Sequence, residues 1–294
     1  MKTSHSLKKV YNIVSIIVLI ALAICFVFPL YWIVTGAFKT PVSINSPVPD
    51  WIPKELVMDN FKKLFSRQTA PIFELGFIKG TQAPAAVRWM LNTVFMAIMA
   101  MVLTCLSASM AGYALAKKRF HGRVLLFTLI VCAMALPKQV ILIPLIREMS
   151  SLKLYNTIWA VILPTVGWPF GVFLMKQFSE GIPTEMLEAA RIDGASEFRT
   201  FTDIVFQMVK PGVGALAIFT FINSWNDYFM QLIMLSSTSN LTISLGIAKL
   251  QAENSTDFGL IMAGATLASA PILIVFIALQ KYFTKGITLG AVKG

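Results

Sequence analysis

VYNIVSIIVLIALAICFVFPLYWIV, residues 10–34, contains no Asp, Glu, Lys, Arg or His. A helix that crosses the hydrocarbon core of a bilayer needs about 20 apolar residues. Lys8 and Lys9 before the run, and Ala21-Leu22-Ala23 inside it, imitate a cleavable leader. The uncharged stretch continues to Val34, too far for the apolar part of a leader, so a retained span is expected.

Five further segments have this character: about 86–115, 124–146, 157–175, 212–235 and 258–282. Over its 294 residues the chain is 56% hydrophobic and 13% charged, with a mean hydropathy of +0.73. A soluble domain is nearer to half apolar and a quarter charged. The expected fold class is therefore all-α, a polytopic membrane protein with six transmembrane helices in one domain spanning residues 1–294. Lipid offers the backbone no hydrogen-bond partner, which excludes open sheets. The net charge of +11 does not indicate a nucleic-acid partner. The basic residues lie near the ends of apolar runs instead of clustering with aromatics on one soluble face. Cys25, Cys105 and Cys132 all sit in apolar runs without ligand spacing and are expected to be small buried residues.

Lys and Arg in short connections set orientation. Lys2, Lys8 and Lys9 precede the first span, Lys117, Lys118, Arg119 and Arg123 follow the second, Lys176, Arg191, Arg199 and Lys210 follow the fourth, and Lys281, Lys285 and Lys293 end the chain. The opposite side has Lys138, Arg147, Lys153 and Lys249. Both termini and residues 176–211 are thus expected in the cytoplasm, and the loop 39–85 outside. Pro41, Pro47, Pro49 and Pro53 suggest extended structure in that loop, with a short helix near 60–65. Ala108/Gly112 and Gly264/Ala268 are small-xxx-small pairs, which let helices approach closely.

The cytoplasmic connection is unusually long and charged. In EMLEAARIDGASEF, residues 185–198, Glu185 and Glu188 suit the start of a helix, and Pro183 suits its first position. Ala189 and Ala190 are strong, slim helix formers. Gly194 can end the helix in the left-handed conformation, and Ser196 can cap the next one. Helix, glycine turn, helix is the prediction. The segment is either an ordinary amphipathic loop or a surface built to be gripped by another protein.

Glu188-Ala189-Ala190, Asp193-Gly194-Ala195 and Ile204 resemble the EAA loop of ABC-importer permeases. RWMLNTVFMA, AGYALAKKRFHGR, LKLYNTIWAVILP, NSWNDYF and KYFTKGITLGAVKG resemble, in order along most of the chain, the maltose-type sugar permeases, specifically the shorter six-span subunit. The resemblance implies an ATP-driven carbohydrate importer in a prokaryotic cytoplasmic membrane. It implies a second homologous permease, two ATP-binding subunits and an extracytoplasmic solute-binding protein docking on loops 39–85 and 236–257. ATP and Mg would reside on the ATPase subunits and no cofactor on this chain, which has no Walker-type phosphate loop. Glu185, Glu188, Ala189, Ala190, Asp193 and Gly194 would form the ATPase-coupling helix, with a small face at Ala189 and Ala190 and a contact from Lys293. The family places Leu-Pro where this chain has Phe206-Gln207, which predicts a softer bend before the fifth span.

Asn92, Asn223, Trp225, Asn226 and Asp227 are polar or amphipathic positions within apolar runs, as is Gln231. Such residues face protein or water, not lipid. They line a sugar path or fix helix packing through hydrogen bonds, and the sequence leaves both open. Another ABC-importer branch would fit the EAA loop but not the tail. A secondary transporter would show repeat halves, which are absent. No HExxH, GxSxG or paired intramembrane carboxylates point to an enzyme.

Overall fold

The computed structural model describes residues 2–72, 74, 75, 78–253 and 257–291. They divide into one unit of residues 1–69 with 247–269, and a second of residues 70–246 with 270–294. In the first unit, α1 (Lys2–Ala37) carries the opening apolar run. Thr40 caps the short α2 (Pro41–Ile44) by accepting from the Ser43 N–H. The proline-rich loop thus begins with a helical turn, not extended chain, because Pro41 occupies the first helical position, where its missing N–H costs nothing. The expected short helix is α3 (Asp59–Ser66). Buried Asn60 fastens it to the end of α1, donating from Nδ2 to the carbonyls of Ala37 (3.0 Å) and Lys39 (2.9 Å).

The second unit is built on α4 (Ala85–Lys117). After it come α5 (Arg123–Ala133), α6 (Leu142–Ser151), α7 (Trp159–Val166) and α8 (Pro169–Glu180). Then follow α9 (Thr184–Ile192), α10 (Glu197–Thr200), a π-helical turn Phe201–Val205, α11 (Phe206–Met208), α12 (Lys210–Asn226) and α13 (Tyr228–Met234). The chain continues through α14 (Ile243–Glu253) and α15 (Phe258–Ala291). Outside the spans, a small antiparallel pair joins Glu74–Leu75 to Ile78–Lys79.

Why α4 is central can be read from its small residues. A Cβ on Gly112 would lie 2.6 Å from the backbone nitrogen of Lys176 and from the Met175 carbonyl carbon. One on Gly171 would lie 3.3 Å from the Ala108 Cβ. The Ala108/Gly112 pair therefore lets α4 and α8 touch backbone to backbone. Gly264 of the other pair approaches Ile247 in the first unit. Below this seam Tyr113, Met175, Ile182, Leu187, Val205, Val209 and Leu216 form a buried apolar cluster.

By length and composition, Tyr11–Ala37, Ala85–Lys117, Trp159–Glu180 and Phe258–Ala278 can cross a membrane, and the bent pair Glu197–Met208 and Lys210–Asn226 is a fifth when counted as one broken span. The segment expected as a third span, 124–146, is not one helix. α5 tightens after Val131 into i→i−3 bonds, with Met134, Ala135 and Leu136 donating to Val131, Cys132 and Ala133. Pro137, which cannot donate, follows. The segment expected over 212–235 breaks at Asp227 into α12 and α13. The cysteines also differ from expectation. Cys105 is buried, but Cys25 and Cys132 lie on exposed faces of apolar helices, where lipid, not solvent, suits them.

Gly112→Ala should destabilise the protein by ~1–3 kcal/mol, the usual cost of overpacking, because the added methyl meets backbone. Gly167→Ala meets nothing within 4 Å and should leave the midpoint of thermal unfolding in detergent unchanged or slightly raised.

Candidate functional site

Two constellations stand out, the charged loop helix α9 and the polar residues around the break at Asp227. Pro183 is the N-cap of α9, not its first helical residue as expected. Glu185 lies in the first turn and Arg191 in the last, both favourable to the helix dipole. The C-terminus closes as expected through Gly194, which takes φ +73°. The Gly194 N–H donates to the Arg191 carbonyl at 3.1 Å and the Ala195 N–H to the Ala190 carbonyl at 2.9 Å. These are the two bonds of a Schellman cap. Ser196 caps α10, accepting from the Arg199 N–H.

Leu187 roots α9 in the apolar cluster, and Ala190 is buried as well. Ala190 is thus turned toward its own bundle, and only Ala189 of the expected small face looks outward. Glu185, Glu188 and Asp193 are exposed. Beside them stand side chains that sequence inspection did not single out for this surface: Met186, Ile192 at 87% exposure and Phe198 at 75%. Phe198 projects from α10. Lys293 lies outside the described residues.

The loop is held at its edges by lysines. Lys117 Nζ donates to the carbonyls of Glu180 (3.1 Å) and Ile182 (2.6 Å), satisfying the end of α8. Lys118 pairs with Glu197, which Arg191 also approaches at 3.5 Å. The Lys118 hydrogen bond is the main cause holding the Glu197 carboxyl below its ordinary value. That contact is present above the unfolded carboxylate pKa and is lost only as pH falls through the depressed one.

Beyond α10 the bend is not soft. The two halves of the bent pair meet at 78°. Pro211 explains this unaided, since its ring clashes with the carbonyl four residues back, that of Gln207, and it has no N–H. Gln207 does not straighten the chain. Its side-chain amide donates to the Thr202 carbonyl at 3.3 Å inside the π turn.

At the far end of α12, the side chains of NSWND and its surroundings serve a helix break. Asn226, exposed, donates to the Ile222 carbonyl at 3.0 Å. Asp227 caps α13 by accepting from the Met230 N–H, and its other oxygen pairs with Lys138 at 2.9 Å. Lys138 was expected only as an orienting charge. Gln231, fully buried, donates to the Ser224 carbonyl (3.0 Å) and accepts from the Thr242 hydroxyl (2.6 Å). Trp225 is buried and stacks on Phe221, with ring centroids 5.5 Å apart. Asn223 is half-buried, and no described residue bonds its amide.

Asn92 is buried and donates to the carbonyls of Ser239 (2.8 Å) and Leu241 (2.9 Å). Its neighbours do the same work: Trp89 donates to Thr238, and Thr93 accepts from the Ile243 N–H. From the other side Asn156, in the left-handed region that asparagine tolerates, accepts from the N–H groups of Ser236 and Ser237. The motifs RWMLNT and LKLYNT thus clamp the loop after α13.

Residues 104–289 match the family described as "Binding-protein-dependent transport system inner membrane component". The chain is 35% identical, over 91% of each sequence, to the arabinooligosaccharides transport system permease protein AraQ of Halalkalibacterium halodurans. It is 31% identical to the lactose transport system permease protein LacG of Rhizobium radiobacter, over 97% of this chain and 98% of that one. Its fold is similar to a chain of a bacterial ABC transporter involved in the import of the acidic polysaccharide alginate (TM-score 0.75, 19% identity, 94% and 97% coverage).

Gln231→Leu should cost ~1–3 kcal/mol for each partner it strands, read as a lowered thermal midpoint. Asn223→Ala removes no bond and should leave that midpoint where it is.

Proposed function

Because the chain belongs to the binding-protein-dependent transport system inner membrane component family, we propose that it is a permease subunit of an ATP-driven carbohydrate importer. It lies in a prokaryotic cytoplasmic membrane with both termini and α9 on the cytoplasmic side. A second homologous permease completes the path, two ATPase subunits drive it, and a solute-binding protein delivers sugar at loops 39–85 and 236–257. Relatives named for arabinooligosaccharides and lactose support the carbohydrate class.

The observation that carries the coupling role is the division of faces on α9. Leu187 and Ala190 anchor the helix in its own bundle, while Glu188, Ala189, Ile192 and Phe198 remain outward. No described residue pairs with the Glu188 carboxylate, which leaves it for a basic residue of an ATPase. The Schellman cap fixes the helix end, and the Lys117 and Lys118 contacts tie its flanks to α4 and α8. ATPase closure would therefore move α9 with the spans it is anchored to. ATP and Mg belong to the ATPase subunits.

The path role narrows to the residues not consumed by packing. Asn223 offers a free amide to sugar hydroxyls. Asn226 and Asp227, with Lys138, shape the break that exposes it. Asn92 and Trp225 act as pins.

Ile192→Asp should reduce ATPase co-purification at least tenfold while leaving thermal stability of the permease intact. Gly194→Val forces a β-branched residue to positive φ, a strain of ~1–2 kcal/mol, and should separate ATP hydrolysis from sugar uptake. Full uptake by both variants, measured in vesicles, would remove α9 from the coupling role.

A further inference from the structure

At the end of α1 opposite the N-terminus, a cavity of about 380 Å³ is lined by Lys39, Trp32, Ser46, Phe258 and Met262, among others. Lys39 is only 2% exposed. Its ammonium lies 4.1 Å from the centre of the Trp32 ring. An ammonium has three N–H donors, and a ring face satisfies none of them fully. No described residue accepts a hydrogen bond from Lys39 Nζ. Asp50, the nearby carboxylate, is already held by Ser43 Oγ at 2.7 Å and Lys54 at 3.2 Å. Burial pushes the Lys39 ammonium below its ordinary pKa, and Asp50 offsets this only in part. A buried charge without a hydrogen-bonding counter-ion is costly, so the cavity is built for an acceptor that carries negative charge.

The surroundings say which acceptor. α1 ends at Ala37, so Lys39 stands just beyond the apolar run, at headgroup level. Phe28, Trp32 and Trp51 cluster there with ring centroids 5.9–6.2 Å apart, and the Tyr31 hydroxyl donates to the Trp51 carbonyl at 2.5 Å. Aromatic belts of this kind mark the membrane–water interface. The lining combines the apolar side chains of Trp32, Phe258 and Met262 with the polar ones of Lys39 and Ser46. That is the amphiphilic lining an acyl-bearing phosphate meets.

We propose that this cavity holds the phosphate group of a membrane phospholipid, with Lys39 as its counter-ion. The placement in the extracytoplasmic leaflet rests on the orientation proposed above, but the site itself does not need the transport function.

Native mass spectrometry of the purified full-length chain after delipidation tests it. Dioleoylphosphatidylglycerol and inorganic phosphate are added separately. The wild type should retain one phospholipid per chain. Lys39→Met should lower the retained fraction at least tenfold, Lys39→Arg should keep it, and Ser46→Trp, which blocks the cavity while sparing the lysine, should lower it too. Equal retention by wild type and Lys39→Met overturns the proposal. Lys39-dependent binding of inorganic phosphate with no lipid retained also overturns it and assigns the cavity to a free anion. Carbodiimide cross-linking of Lys39 to another protein's carboxylate overturns it in favour of a protein partner. ATPase co-purification, unchanged in all three variants, reports separately on the transport role.

Discussion

Inside a bilayer no water stands ready to take up a stray carbonyl or amide, and this requirement shapes each irregularity in the chain. Where α12 stops, Asn226 and Gln231 reach back to the carbonyls of Ile222 and Ser224. Where the π turn leaves the helical pattern, Gln207 donates to Thr202. Where α8 ends, Lys117 donates to the carbonyls of Glu180 and Ile182, and where α1 ends, Asn60 donates to those of Ala37 and Lys39. Much of the polar chemistry embedded in this apolar sequence is thus spent on allowing helices to break.

That accounting separates framework from function. Polar residues in a span look alike on paper, and Asn92, Asn223 and Asn226 share one side chain. Two of them are engaged with backbone carbonyls and one keeps its amide free. The same sorting applies to α9, where Ala189 and Ala190 are adjacent in sequence but face opposite ways. One belongs to the bundle's interior and the other to its exposed surface.

Much was legible beforehand because it follows from local rules. The membrane class came from run lengths, the α9 turn from Gly194 and Ser196, and the short helix α3 from its sequence. What escaped notice depends on contacts distant in sequence. Lys138 meets Asp227 across 89 positions, and no periodicity announces it. The break at Asp227 hides in an apolar run because its compensating groups, Gln231 and Thr242, come later in the chain. The sharp bend near Val209 does not need a proline at position 207, because Pro211 displaces the carbonyl of that very residue. Motifs shared with sugar permeases were legible as signatures, but their work in RWMLNT and LKLYNT is loop fastening.

The contact at Gly112 has a mechanical consequence. Where two helices meet main chain to main chain, no side chain lies between them to act as a lubricant. α4 and α8 cannot slide past one another without opening a void, so they travel as a single strut. Any force delivered to α9 must then be absorbed where the chain is already folded sharply, beside Val209, which makes that corner the elbow of this unit.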